Sequence, residues 1–110
     1  MGKQKIKFND VYKVVQSIPV GRVTTYKAIA CYLGYPKGAR IVSRAMSAGD
    51  GKVEMPAHRV VSNSGKLTGY KRFHVVSMED RLAMEGINVN KNTIINFDSV
   101  FWYPDDNLKD

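Results

Sequence analysis

The sequence predicts one small α+β domain, mostly helical, organised around a helix-turn-helix. Three observations carry this. The chain has 110 residues, 44% of them hydrophobic and 25% charged, an ordinary globular balance that bounds it to one core. Its first half holds three apolar stripes of helical period, and the short connector Gly34-Tyr35-Pro36 separates the second from the third. Beyond residue 56 come short β-branched runs punctuated by turns. No repeat, low-complexity stretch or linker divides residues 1–110, so residues 88–110 read as a C-terminal extension of the same domain.

The first helix is expected over residues 8–18, where Phe8, Val11, Tyr12, Val15 and Ile18 share a face. Asn9 serves as its N-cap, and Pro19 with Gly21 stops it. The second carries Tyr26, Ile29, Ala30 and Leu33 behind the candidate caps Thr24 and Thr25, and ends at Gly34. A third helix is expected from Pro36 or Lys37 to about Ser47. Projected at about 100° per residue, Lys37, Arg40, Arg44 and Ser47 fall in one arc, with Ala39, Val42 and Met46 opposite. A loop at 48–56 leads to a strand or extended segment at 57–61, a turn at 62–65 and a short extended piece at 67–70. Ser77 to Asp80 resembles a capping arrangement for a helix through Glu85, stopped by Gly86. Residues 87–97 follow as a strand or hairpin, then the aromatic run Phe101-Trp102-Tyr103.

Charge is unevenly spread. The net is +7, yet residues 1–72 hold 14 basic and 3 acidic side chains, and residues 73–110 hold 3 basic and 7 acidic. This pattern fits a polyanion-facing segment followed by an acidic one, and equally a solubilising surface. No apolar run approaches the roughly 18 residues that span a bilayer, so the expectation is a soluble cytoplasmic protein with no membrane partner.

Catalytic motifs are scarce. The single cysteine, Cys31, excludes an internal disulfide and sits mid-stripe, where it reads as a small structural hydrophobe. His58 and His74 are the only histidines, with no cysteine pair or His-x-x-x-His, which argues against a metal site. Neither a nucleophile elbow nor a phosphate-binding glycine loop appears, and no cofactor is implied. His58 taken alone reads as a hydrogen-bonded structural residue.

Longer blocks say more. The run from Ile18 through Tyr26 to Ala30 resembles a block in the DNA-binding domain of O6-alkylguanine-DNA alkyltransferases, and Pro36 to Met46 resembles that family's recognition helix. Met55-Pro56-Ala57-His58-Arg59-Val60-Val61 is similar to its active-site Pro-Cys-His-Arg motif, and Leu82 to Gly86 to its Glu-Gly helix end. The blocks run in order over residues 8–87. One departure decides the reading: Ala57 stands where the alkyl-accepting cysteine belongs, and a methyl group has no lone pair with which to attack carbon. The residues that activate the thiol in the enzymes, His58 and Glu85, are retained. The combination resembles the alkyltransferase-like proteins, non-enzymatic relatives that recognise O6-alkylguanine and pass it to nucleotide excision repair.

That resemblance implies a winged-helix-like helix-turn-helix DNA-binding domain acting as a monomer, nucleoid-associated when bound, with its third helix in the minor groove. It implies that Arg40 fills the gap left by an extruded nucleotide, that Tyr26 crowds the phosphate behind it, and that Ala39 lets the helix approach closely. Lys37, Arg44, Arg59 and Lys71 would contact phosphates. Pro56, Ala57, His58, Val60 and Tyr70 would line the lesion pocket, with either Arg72 or Lys71 reading the base. Gly49 stands where the family commonly has an asparagine that braces the active-site turn.

Overall fold

Two hydrophobic cores share one short parallel ladder. The structure, a computed structural model, describes residues 6–67 and 72–108. In chain order the elements are α1 (Phe8–Gln16), β1 (Thr24–Thr25), α2 (Tyr26–Tyr32), α3 (Ala39–Gly49), a 3-10 turn (Ala57–Arg59), β2 (Val60–Val61), α4 (Arg72–Met84), β3 (Val89–Asn90), β4 (Thr93–Ile94), α5 (Phe97–Val100) and α6 (Pro104–Leu108). β1 and β2 run parallel, Thr24 opposite Val60 and Thr25 opposite Val61. Successive strand residues point to opposite faces. Val60 accordingly joins the first core, with Val11, Val15, Ile29, Val42 and Trp102, whereas Val61 joins the second, with Val23, Leu82, Ile87 and Ile94. β3 and β4 form an antiparallel hairpin, one of the two alternatives expected for residues 87–97.

The helix-turn-helix is α2, a turn and α3. Thr25 caps α2 by accepting a hydrogen bond from the Ala28 N–H at 3.0 Å. The other end closes as a Schellman motif: Tyr35 N–H donates to the Ala30 carbonyl and Gly34 N–H to the Cys31 carbonyl. α3 begins two to three residues later than the sequence predicts. Residues 36–37 are turn, and Gly38 is the N-cap, buried so tightly that a Cβ there would lie 2.6 Å from Ile6 Cδ1. Lys37 therefore belongs to the turn and not to the helix.

Other expectations also shift. Thr24 forms a strand with Thr25 instead of serving as a cap, because its backbone pairs with β2. Ala57–Arg59 is a 3-10 turn, since Pro56 directs the chain into a tight bend where Arg59 N–H donates to the Pro56 carbonyl. α4 starts at Arg72 and not at Ser77. The extended piece predicted at 67–70 lies outside the described residues after Leu67, which is buried. Cys31 is exposed, a correction to its reading as a small structural hydrophobe: the inward arc of α2 is filled by Ile29 and Ala30, and one further residue turns away from it. Residues 88–108 are built into the domain. Val23 N–H donates to the Val100 carbonyl, Trp102 N–H donates to the Val23 carbonyl, and the Trp102 indole is buried in the first core.

Candidate DNA interface and lesion cleft

α3 has the two faces its sequence requires. Val42, Ala45 and Met46 are buried against α1 and α2, while Arg40, Arg44 and Ser47 are exposed, as is Lys37 in the preceding turn. Ala39, the first residue of the helix, is half-buried beside Arg40. Tyr26 opens α2, half-buried and packed on the first core, which fixes the ring's base at the edge of the helix-turn-helix.

The end of α4 meets the 3-10 turn through Glu85. Gly86, at φ +84°, permits the Schellman closure in which Ile87 N–H reaches the Leu82 carbonyl at 2.9 Å, and this fixes Glu85 as the C-cap. Its carboxylate gathers four donors. Oε2 accepts from His58 Nε2 at 2.7 Å and from Arg59 Nη2 at 2.7 Å; Oε1 accepts from Arg59 Nε at 3.0 Å and from Gly21 N–H at 3.1 Å. Arg59 Nη1 goes on to donate to the Ile18 carbonyl at 2.8 Å. Burial by itself pushes the Glu85 carboxyl up, but the hydrogen bonds from Arg59, His58 and Gly21 outweigh it and hold the group down at about 2. For His58 burial dominates and lowers the pKa below 6.5, against the opposing pull of Glu85.

Ala57 is exposed at the side of a cleft of about 330 Å³. Beside it the lining includes His58 from the turn, Asp50, Glu54 and Met55 from the preceding loop, and Ser77, Met78 and Arg81 from α4. A His–Glu dyad thus stands next to a methyl group. Cys31 lines a different cavity, of about 480 Å³, with Lys27, Phe101 and Tyr103, and the two cavities share no lining residue.

Two expected site residues are placed elsewhere. Arg59, expected at a phosphate, has its guanidinium committed to Glu85 and Ile18, and its side chain is only 13% exposed. Val60, expected in the pocket wall, is wholly buried in the first core because its strand register turns it inward. Pro56 is half-buried as the N-cap of the 3-10 turn. Tyr70 and Lys71 lie outside the described residues, as does the side chain of Arg72. Sequence reasoning missed Ser77, Met78 and Arg81. Four-residue spacing from Ser77 to Arg81 was the available signal, and the misplaced helix start obscured it.

Gly49 has a physical account. A Cβ there would lie 2.9 Å from the Tyr12 ring, whose hydroxyl donates to the Ala45 carbonyl at 2.8 Å. Tyr12 occupies the room that a longer side chain at residue 49 would need, and it ties α1 to the end of α3.

A family model described as the DNA-binding domain of 6-O-methylguanine DNA methyltransferase matches residues 7–87. Alkyltransferase-like protein 1 of Schizosaccharomyces pombe is 32% identical, over 88% of this chain and 94% of that one. A methylated-DNA–protein-cysteine methyltransferase of Scheffersomyces stipitis is 41% identical over 58 residues, but these are 53% of this chain and 30% of the enzyme. The chain therefore spans under a third of that enzyme's length. The crystal structure of S. pombe Atl1 with damaged DNA containing O6-carboxymethylguanine superposes with a TM-score of 0.76 at 32% identity, covering 88% of this chain and 94% of that one.

Proposed function

Because the chain belongs to the family of the 6-O-methylguanine DNA methyltransferase DNA-binding domain, we propose that it binds O6-alkylguanine in duplex DNA and holds it without accepting the alkyl group. One observation carries this reading: Ala57 and His58 line the same cleft and His58 is paired with Glu85, so the groups that activate a nucleophile have no nucleophile to activate. The likeness to a protein crystallised on O6-carboxymethylguanine DNA supports it.

In this scheme α3 enters the minor groove, Arg40 stacks in place of the target nucleotide, and Tyr26 helps turn that nucleotide outward. Flipping costs a few kcal/mol, least at a pair already weakened by O6-alkylation. Lys37, Arg44 and Lys71 attract phosphates, and Ala39 keeps the approach close. The flipped base enters the cleft beside Ala57 and His58, and Arg72 or Lys71 is assigned to read it. The monomer then presents bent DNA to excision-repair proteins. Among the described residues no helix is long and apolar enough to cross a membrane, and no three His, Cys, Asp or Glu side chains are grouped to hold a metal.

The test is competition between matched duplexes with and without one O6-methylguanine, run beside incubation with methyl-labelled DNA. Preferential binding with unlabelled protein is the expected result. Equal affinity for both duplexes rejects lesion recognition, and stoichiometric label on the protein that disappears in Cys31→Ser rejects the non-enzymatic reading.

A further inference from the structure

His58 carries a hydrogen-bonding atom that the domain leaves unused. Its Nε2 lies 2.7 Å from Glu85 Oε2, and Glu85, held at about 2, is ionised at neutral pH and only accepts. The imidazole proton therefore sits on Nε2. Burial keeps the ring neutral at pH 7, which leaves Nδ1 as a bare lone pair. That Nδ1 is buried and has no hydrogen-bond partner among the described residues. An unpaired buried acceptor carries a standing cost that a donor on a ligand can remove. His58 is 8% exposed as a residue, and it lines the same cleft as Ala57.

We propose that His58 reads the far end of the O6 substituent, Nδ1 accepting a hydrogen bond from a hydroxyl there, so that the cleft favours O6-hydroxyalkylguanine over alkylguanine of the same size. This rests on the lesion-recognition reading above and adds the chemistry that selects among lesions. Ala57 and His58 are neighbours in the chain and both line the cleft, so a substituent that passes the short side chain of residue 57 ends beside the imidazole. A two-carbon arm ending in O–H supplies the donor that Nδ1 lacks. Of the other charged groups, Arg59 and Glu85 are bound to each other, while Arg81, Asp50 and Glu54 line the same cleft as His58. Arg81 can donate but cannot substitute for a lone pair.

Competitive binding of one duplex sequence carrying O6-(2-hydroxyethyl)guanine, O6-propylguanine or guanine tests this with the full chain at neutral pH. The first two adducts have equally many heavy atoms. The hydroxyethyl duplex is expected to bind about 3- to 10-fold more tightly than the propyl duplex, and both more tightly than guanine. In His58→Gln, whose amide can still donate to Glu85 but has no Nδ1, the ratio of hydroxyethyl to propyl affinity is expected to fall to about one. Hydroxyethyl binding no tighter than propyl in the unaltered protein overturns the inference, and so does a ratio that survives in His58→Gln. Should that variant fail to fold, O6-(2-methoxyethyl)guanine decides: it keeps the oxygen and lacks the donor. It must bind no better than propyl, and hydroxyethyl-like affinity overturns the assignment. If neither adduct outcompetes guanine, it is the lesion-recognition reading that has failed.

Discussion

Replacing Glu85 with glutamine removes one charge from the junction of α4, the 3-10 turn and the loop at Gly21, at nearly constant volume. In the folded protein this carboxyl titrates at about 2 instead of 4.5. At 1.36 kcal/mol per pKa unit, the carboxylate form contributes about 3 kcal/mol at neutral pH. For a domain of this size a loss of that order lowers Tm by about 12–24 °C. The sign of the pH dependence follows from the direction of the shift. A carboxyl with a depressed folded pKa contributes fully above 4.5, and its contribution fades as pH falls from there toward 2, where the unfolded chain binds the proton first. Urea unfolding at a series of pH values, for the unaltered chain and Glu85→Gln, measures both effects. The variant is expected to be less stable at neutral pH and to lack most of the decline between pH 4.5 and 2. His58, whose folded pKa is also lowered, adds a decline in the same direction beginning below 6.5 in both proteins. An unchanged unfolding free energy at neutral pH together with the full acid decline in Glu85→Gln would refute the role given to this carboxylate.

Arg40→Ala should weaken binding to an O6-methylguanine duplex by about 10-fold or more in a fluorescence titration, with little change in Tm because residue 40 is exposed. Lys37→Ala and Arg44→Ala should each reduce the slope of log K against log salt by about 1, without altering the ratio of modified to unmodified DNA. Gly49→Asn should destabilise the fold by about 1–3 kcal/mol through collision with the Tyr12 ring, and a double-mutant cycle with Tyr12→Ala should show coupling between the two positions. Ala57→Cys places a thiol beside the His58–Glu85 dyad, so incubation with methyl-labelled DNA should leave label on that variant, and none is expected on the unaltered chain.

The helix-turn-helix was legible because its signals are local: a stripe of apolar residues, a capping threonine, a glycine after the last turn. The His58–Glu85 pairing was legible only through resemblance to a family, since 27 positions separate the two residues and no periodicity links them. Arg59 shows where local reading misleads. An arginine in a basic segment looks like a phosphate contact until the fold brings Glu85 and the Ile18 carbonyl around its guanidinium. Val60 fails for a related reason: a two-residue strand has no pattern of its own, and pairing with Thr24 alone decides which face it shows. Cys31 fell to the wrong side of a narrow arc. Arg81 escaped notice because its partners in the cleft wall come from the loop after α3 and from the 3-10 turn.

Trp102 has a consequence for how this domain is made. The indole completes a core whose other members come from residues 6–60, and its backbone closes on Val23 across nearly eighty positions. Contacts so distant in sequence form only after both segments exist, and they slow the search for the native state. During synthesis the two helices of the DNA-reading unit emerge early, yet their shared core stays open until the chain has been extended past residue 102. A nascent chain arrested near Asp98 should hold helical segments with an exposed apolar face, and protease should cut it where the finished domain resists.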